Sequence, residues 1–411
     1  MICLALLLSS NRRAINVRTV GGAFLIQAAL GAFALYVPWG QSVLASISDT
    51  VSSLQGYANQ GIAFLFGPLA SAKMFEVFGN QGFIFAIKVL PLIVFFSAFI
   101  AILYHLGVMN LIIRVIGGGL QKVLKTSRTE SMSATANIFV GQTEAPMVIR
   151  PFLANMTRSE LFAVMVGGLA SVAGSVLIGY ASLGVELKYL IAASFMAAPG
   201  GLLMAKLMEP ETDTPRDTFN DVADDPEDKP ANVIDAAAIG VSSGLQLALN
   251  VGAMLLAFIA LIALLNGLLG WAGGWFGYPQ LSMQLILGYL FAPLAFVIGV
   301  PWHEAITAGS FIGEKLVLNE FVAYVDFAAY LDPVQAAAKG VTVLSAQTQV
   351  IVTFALCGFA NLSSIGILLG GLGVMAPSRR QDLARLGLRA VAAGTLSNLM
   401  SAALAGLFVS L

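Results

Sequence analysis

Long apolar stretches alternate with shorter polar segments along most of this chain. Crossing the hydrocarbon core of a bilayer takes about 20 apolar residues, so stretches of that length are candidate transmembrane helices. They run without the polar–apolar alternation of a half-buried strand, which favours helices. The pattern therefore predicts an all-α polytopic membrane protein. The predicted spans are residues 21–39, 83–109, 161–183, 189–208, 281–300, 350–375 and 390–411.

Four stretches do not fit a simple crossing. Residues 2–8 are too short to span, and we interpret them as the end of a truncated first helix. Polar residues interrupt the apolar pattern between 40 and 81, which is typical of an amphipathic helix at the membrane interface. Residues 233–269 exceed one crossing and are expected to contain an interfacial piece and a span. Residues 301–344 are too polar to cross simply.

Composition supports the membrane setting and argues against several classes of function. Hydrophobic residues make up 58% of the chain and charged residues 10%, whereas a soluble domain has about 25% charged residues. The two cysteines, Cys3 and Cys357, lie far apart in apolar runs, so a disulfide framework or metal site has no support. His303 begins a zinc-protease-like sequence, but Thr307 stands where the second histidine belongs. Without a GxSxG sequence either, we expect no enzyme and no cofactor.

The distribution of charge divides the chain into two halves. Nine of its 22 acidic residues lie between Glu209 and Asp228, as in a solvated loop or, alternatively, an acidic partner-binding segment. Four arginines between the last two spans place that loop in the cytoplasm, so the C-terminus is expected in the periplasm. The expected domains are an N-terminal scaffold with an interfacial helix (1–80), a first repeat (81–208), an acidic soluble loop (209–232), and a scaffold helix with a second repeat (233–411).

The two halves resemble each other in the order of their elements. Residues 168–172 (GLASV) echo 358–362 (GFANL), and each string follows a polar segment containing an acid, Glu144 or Glu320. Short matches among small residues arise by chance, so the order of elements carries more of the argument. A polar broken segment before a Gly/Ser-rich span is expected where two half-helical hairpins meet at a midplane site. We expect inverted repeats with re-entrant hairpins at about 129–157 and about 301–328.

The first polar cluster includes Gln142, Thr143 and Glu144. A charge at bilayer depth costs at least about 2.5 kcal/mol, so such a cluster indicates a transport site. These side chains offer donors and acceptors that fit a heterocycle edge or a sugar hydroxyl. Pro146 discourages a continuous helix and frees a backbone carbonyl. The alternative is a kinked helix whose polar side chains bond their own backbone.

The second cluster centres on Glu320, whose carboxylate is suited to accept two hydrogen bonds from a vicinal diol. Its alternative is an acid exposed in a loop. Asn361 and Ser364 lie three residues apart within a predicted span and would share one helix face, and Phe359 could shield a ligand. Polar residues that join packed membrane helices are the alternative for this pair.

Several longer strings closely resemble the bacterial concentrative nucleoside transporters, from about residue 11 to the C-terminus. The resemblance implies a homotrimer in the bacterial inner membrane, in which each subunit imports nucleosides by elevator-like alternating access. A scaffold surrounds a mobile transport region built from two re-entrant hairpins and the unwound helices beside them. The strings are GQTEAP (141–146), GGLASVAGSVL (167–177), ASFMAAPGGLL (193–203), NEFVAY (319–324) and CGFANLSSIGILLGGLG (357–373).

The resemblance also implies roles for individual residues. The nucleobase of a uridine-like nucleoside would contact Gln142, Thr143 and Glu144, with apolar help from Val176 and Leu247. The ribose hydroxyls would be held by Glu320, Asn361 and Ser364, with Phe359 packed against the ligand. The coupling sodium ion would take side-chain oxygens of Asn137 and Ser171 and carbonyls of Val140 and Val172.

Asn137 favours sodium as the coupling ion, because proton-coupled relatives tend to differ at that position. A proton-coupled nucleoside carrier, with Glu144 or Glu320 carrying the proton, is the alternative. The expected partners are the nucleoside, sodium, the lipid bilayer and two further copies of the chain, with no nucleic acid.

Overall fold

The computed structural model of the protein describes residues 1–71, 73–78, 82–215 and 230–411. Helices make up most of these residues, and no strand occurs among them. Six of the helices are long and apolar enough to cross a membrane, and a bent pair could add a seventh. The predicted all-α polytopic fold class is confirmed. Residues 216–229 of the expected acidic loop lie outside the described residues.

Seven α-helices occur among the described residues of the N-terminal region, and α2 and α3 are the longest of them. The Asn16 side chain caps the start of α2, accepting backbone N–H groups of Arg18 and Thr19. Pro38 begins the next helix, where its missing N–H and fixed φ cost nothing. The helices are α1 (Ile2–Leu7), α2 (Val17–Leu35), α3 (Pro38–Phe66), α4 (Lys73–Phe78), α5 (Phe85–Lys88), α6 (Leu90–His105) and α7 (Val108–Leu124).

The first half continues with a helical pair and a broken helix. Ser127 with Glu130, and Thr157 with Glu160, form capping boxes that start α8 and α9. We call α8 and the following 3-10 helix the first helical pair. The elements are α8 (Arg128–Ala136), the 3-10 helix Ala145–Asn155, α9 (Arg158–Ala170), α10 (Gly174–Ser182) and α11 (Leu187–Met208).

The second half repeats this order after one long helix. The chain bends by 115° between α13 and α14, at Gly299 with φ +107° and shortly before Pro301. We call α14 and α15 the second helical pair. The helices are α12 (Val233–Gly274), α13 (Met283–Val297), α14 (Trp302–Val317), α15 (Glu320–Ala328), α16 (Pro333–Lys339), α17 (Ala346–Leu356), α18 (Ser364–Met375) and α19 (Arg380–Ser410).

Three boundary predictions are wrong. Residues 233–269 are not two pieces but part of the continuous 42-residue α12, which contains no proline to end it. Residues 350–375 are not one span, because the chain leaves helical geometry between α17 and α18. Arg380, Arg385 and Arg389 lie in the first turns of α19 rather than in a loop. Apolar patterning locates these segments but does not show where the backbone breaks.

Packing separates an inner bundle from an outer group of helices. In the most apolar windows of α9–α10 and α11, 94% of residues are buried, against 28% in α2 and in α5–α6 and 17% in α12. The inner helix α11 packs against α2, α9 and α19. The broken helix α9–α10 therefore lies inside the protein, and α12 leaves most of its apolar surface uncovered.

Candidate functional site

The first broken helix is interrupted at residues 171–173, where Ser171 adopts an extended conformation. The N–H of Gly174, at the start of α10, donates to the carbonyl of Phe139 in the turn of the first helical pair, at 3.0 Å. A Cβ on Gly174 would approach that carbonyl oxygen to 2.8 Å, so glycine permits this contact. The break is thus joined to the tip of the first helical pair through the backbone.

The second broken helix is interrupted at residues 357–363 and is arranged in the same way. The N–H of Leu362 donates to the carbonyl of Leu316 in α14, at 3.1 Å, which joins this break to the second helical pair. The N–H of Phe359 donates to the carbonyl of Ser171, at 3.1 Å. The two breaks therefore touch each other, although 188 residues separate these two positions in the sequence.

Asn398 in α19 contacts both breaks. Its Nδ2 donates to the carbonyl of Ala170, at 2.6 Å, and to that of Cys357, at 3.0 Å. The last carbonyls of a helix have no partner within the helix, and here one amide serves the ends of both α9 and α17. A Cβ on Gly358 would collide with the Asn398 amide, so the absence of a side chain at Gly358 allows the approach.

A cavity of about 420 Å³ lies where the helical pairs meet the breaks and α12. Its volume falls within the roughly 300–1,000 Å³ of small-molecule sites. Of the nine substrate-binding residues suggested by the sequence, Val176 is absent from the lining and is buried in α10. The other eight, brought together from both halves, are Gln142, Thr143, Glu144, Leu247, Glu320, Phe359, Asn361 and Ser364.

The second-half wall of the cavity is organised around the carboxylate of Glu320. Tyr180 donates its hydroxyl to Oε1 and Asn361 donates Nδ2 to Oε2, both at 3.1 Å. Glu320 is 5% exposed, which excludes the exposed-loop alternative. Asn361 and Ser364 do not share a helix face as predicted, because Asn361 precedes α18 and its Oδ1 accepts the Ser364 N–H at 2.9 Å. This cap pre-positions Asn361 toward Glu320.

The first-half wall carries the polar side chains of the GQTEAP string. Gln142 is buried; its Nε2 lies 3.4 Å from Ser364 Oγ, and its Oε1 has no hydrogen-bond partner. Thr143 packs its methyl group toward Gly371 in α18. Glu144 is exposed to space on two sides, because it lines both the large cavity and a neighbouring cavity of about 150 Å³. These groups are therefore free to meet a ligand.

The proposed ion ligands lie at the junction of α8 and the first break. Asn137 Oδ1 is buried without a hydrogen-bond partner, whereas Nδ2 donates to the carbonyl of Ser133 at 2.9 Å. A buried acceptor without a donor is costly, so a cation beside Oδ1 would satisfy it. Ser171 Oγ donates to the carbonyl of Gly167 at 2.8 Å, which leaves its lone pairs available. Val140 and Val172 are also buried.

Three family models match successive parts of the chain. A model described as "Nucleoside recognition", named Gate, matches residues 86–186. Models described as the N-terminus and C-terminus of the Na⁺-dependent nucleoside transporter match residues 1–69 and 189–406. The chain belongs to the Na⁺-dependent nucleoside transporter family. It is thus a nucleoside transporter and a multi-pass membrane protein, not an enzyme.

Relatives of this transporter match over its whole length. The nucleoside permease NupC of Helicobacter pylori is 54% identical over 412 residues, covering 100% of this chain and 96% of its own. A chain described as an uncharacterized transporter of Haemophilus influenzae is 59% identical with the same coverage. The solved structure of CNTnw in an inward-facing substrate-bound state is 62% identical, with a TM-score of 0.96, covering 100% of this chain and 96% of that one.

Variants of CNTnw have also been solved in other states. An outward-facing double variant matches this transporter with a TM-score of 0.97, and an intermediate state of a single variant matches with 0.94. Both match at 62% identity and cover 100% of this chain and 96% of theirs. The fold is thus similar to a series of inward-facing, intermediate and outward-facing structures.

Sequence reasoning missed four polar residues at the transporter's site. Asn250 in α12 lines the large cavity, and its place in a long apolar stretch was a usable signal. The other three are Tyr180, Lys315 and Asn398, whose hydrogen-bond partners lie 40 to 228 residues away in the sequence. Only the fold brings those three to the breaks, so no local pattern indicated them.

Proposed function

We propose that this protein is a sodium-coupled nucleoside symporter of the bacterial inner membrane. The single observation that carries the proposal is that a polar cavity and a buried, unpartnered oxygen lie together at the breaks. Eight of the suggested substrate residues line one cavity, and beside it the buried Asn137 Oδ1 has no protein partner. Neutral oxygen ligands suit a monovalent hard cation, and no group of three metal-binding His, Cys, Asp or Glu side chains occurs among the described residues.

The roles of the residues follow from their places around the cavity. Gln142, Thr143 and Glu144 hold the base of a uridine-like nucleoside, with apolar support from Leu247 and, behind the wall, from Val176. Glu320, Asn361 and Ser364 hold the ribose, and Phe359 packs against it. The chemistry supports this division, because a buried carboxylate flanked by donors suits a diol, whereas amide and hydroxyl groups suit a base edge.

Sodium then favours substrate binding by ordering the first-half wall. An ion on Asn137, Ser171, and the carbonyls of Val140 and Val172 ties the turn of the first helical pair to the first break. Gly168 brings that turn close, since a Cβ there would approach the Gln142 Cβ to 2.8 Å. Ion binding therefore raises the population of the competent nucleoside site.

Alternating access is proposed to occur by movement of the inner bundle against the outer helices. The two helical pairs serve as the re-entrant hairpins of inverted repeats. The domains of the chain have the ranges 1–80, 81–208, 209–232 and 233–411. The large apolar surface left by α12 is suited to lipid and to neighbouring subunits of a homotrimer. The solved inward-facing, outward-facing and intermediate structures of CNTnw support a moving site. We place the C-terminus in the periplasm, as the arginines near 379–389 indicate.

The proposal is tested by labelled uridine uptake into proteoliposomes under an inward sodium gradient or an inward proton gradient of equal size. We expect accumulation with sodium alone. Accumulation with protons alone would contradict sodium coupling and favour the proton-coupled carrier, for which Glu144 and Glu320 line the cavity. Uptake that never exceeds equilibration would contradict symport.

A further inference from the structure

A buried lysine lies at the second break, outside the cavity lining. Lys315, in the last turn of α14, is 2% exposed. Its Nζ donates to the carbonyl of Ala355 in α17 at 2.8 Å and to Asn398 Oδ1 at 2.6 Å. Glu320 lies close enough to act electrostatically on the ammonium. A buried ammonium needs hydrogen-bond acceptors, and Lys315 has two of them in the Ala355 carbonyl and Asn398 Oδ1.

The ammonium joins four elements of the site. Ala355 belongs to the last turn of α17, whose carbonyls lack partners within the helix. The acceptor Asn398 uses its other end to hold the carbonyls of Ala170 and Cys357. Lys315 therefore ties the second helical pair to α17 directly, and to α9 and α19 through one amide.

The proposed sodium site has the corresponding position in the first half. Asn137 ends α8, the first helix of its pair, and the break after Ala170 lies beside it. Lys315 lies in the last turn of α14, the first helix of the second pair, and the break after Leu356 lies beside it. In each half, a cation position thus lies between the tip of a helical pair and the end of the first segment of a broken helix.

We propose that Lys315 is a positioning residue that supplies the second half with a resident cation, in the place that exchangeable sodium takes in the first half. The inference rests on the sodium site of the proposed function. Sodium can leave, so the first-half wall orders only when the ion binds. The ammonium is covalently attached, so the wall around Glu320 is held in place throughout the cycle.

The test is rescue of Lys315→Ala by a small cation that can enter the space left by the side chain. The purified full-length variant is studied in choline chloride with sodium fixed at a saturating level, and ammonium chloride is the probe. We expect uridine affinity at least tenfold weaker than that of the wild type, and recovery of several-fold on adding ammonium. Wild-type affinity should not respond to ammonium. Lys188→Ala, at an exposed lysine, is the matched control and should bind like the wild type.

Thermal denaturation of the protein without nucleoside or sodium tests this inference independently of the proposed function. Ammonium should raise the melting temperature of Lys315→Ala by several degrees and leave that of the wild type unchanged. If wild-type protein fails to bind uridine, the proposed function fails and the melt still decides the role of Lys315. Two results would overturn the inference. One is wild-type uridine affinity in Lys315→Ala. The other is weakened uridine binding with neither the affinity nor the melting temperature responding to ammonium. If Lys315→Ala does not fold, Lys315→Met keeps the apolar stem, and wild-type affinity in that variant would overturn it too.

Discussion

The two broken helices share a layout and differ in chemistry. Each break is tied by one backbone hydrogen bond to its own helical pair, through Gly174 in the first half and Leu362 in the second. The first break lies beside the buried, unpartnered oxygen of Asn137, whereas the second lies beside the ammonium of Lys315. If the proposed sodium site and the proposed role of Lys315 hold, the shared layout places a cation at the same point of each half. The side chain at the tip would then decide whether that cation is exchangeable.

With the proposed ligand roles, the two halves would also differ in how they recognise the nucleoside. The first-half wall presents Gln142 and Glu144 with unused hydrogen-bonding capacity or open space. In the second half, both oxygens of Glu320 already accept hydrogen bonds, from Tyr180 and Asn361. A pre-positioned wall binds at lower entropic cost than one that orders on binding. We therefore expect the second half to supply affinity and the first half to supply coupling to sodium.

The largest effect is expected from Glu320→Gln. The amide removes the charge that strengthens hydrogen bonds from ribose hydroxyls, and losing two charged hydrogen bonds costs about 3 kcal/mol or more. Uridine uptake should fall roughly 100-fold, and Glu144→Gln should reduce it less.

Initial uptake rates in proteoliposomes measure this difference, with size-exclusion chromatography to show that assembly is intact. Glu186→Gln, at an exposed acid paired with Lys188, is the matched control. Normal uptake by Glu320→Gln would remove Glu320 from ribose binding. A larger loss from Glu144→Gln would reverse the proposed division between the halves.

Asn137→Leu should abolish sodium stimulation and leave insertion into the membrane unchanged. Leucine has the same branched shape and number of side-chain heavy atoms but no oxygen, so the ion loses a ligand while the buried site stays filled. A lost factor of about ten in sodium stimulation corresponds to about 1.4 kcal/mol. The measurement is uridine uptake against sodium concentration, compared with Asn110→Leu on the exposed face of α7. Sodium activation equal to that of the wild type would exclude Asn137 from the ion site.

The last predicted effect is on stability and is expected from Gly358→Ala in the second break. A Cβ at Gly358 collides with Asn398 and should destabilise this contact by about 1–3 kcal/mol, the usual cost of overpacking. Gly366→Ala, in α18 with open space around it, is the matched control and should melt like the wild type. Thermal melts in detergent compare the two variants. Equal melting temperatures would show that the contact between Asn398 and the second break tolerates displacement.

Hydropathy and short strings predicted much of the fold, because both reflect local sequence. Apolar runs located most spans, and the acids Glu144 and Glu320 marked both walls of the cavity. Apolar patterning did not locate the breaks near Ser171 and Phe359, although the family resemblance implied unwound helices beside the hairpins. What stops those helices is hydrogen bonding to distant segments, which no single window contains.

The positions of Tyr180 and Asn398 could not be predicted for the same reason. Tyr180 looked like an ordinary residue of a span until the fold placed its hydroxyl on Glu320. Asn398 lies in a helix of small residues, where a packing role was an adequate explanation from sequence. Buried polar contacts between distant segments depend on tertiary structure, and they organise much of this site.

The long helix α12 lines both cavities, with residues spaced about one turn apart. Its neighbours in the wall of the large cavity belong to the helical pairs and broken helices that we propose to move. In the proposed movement α12 stays in place while the opposite wall of the cavity moves with the nucleoside. The bound nucleoside would therefore contact a different turn of α12 at each stage of transport. Selectivity among substrates would then depend on contacts with several turns of α12 in succession. The stationary wall runs from Ile239 and Ser243 through Leu247 and Asn250 to Met254.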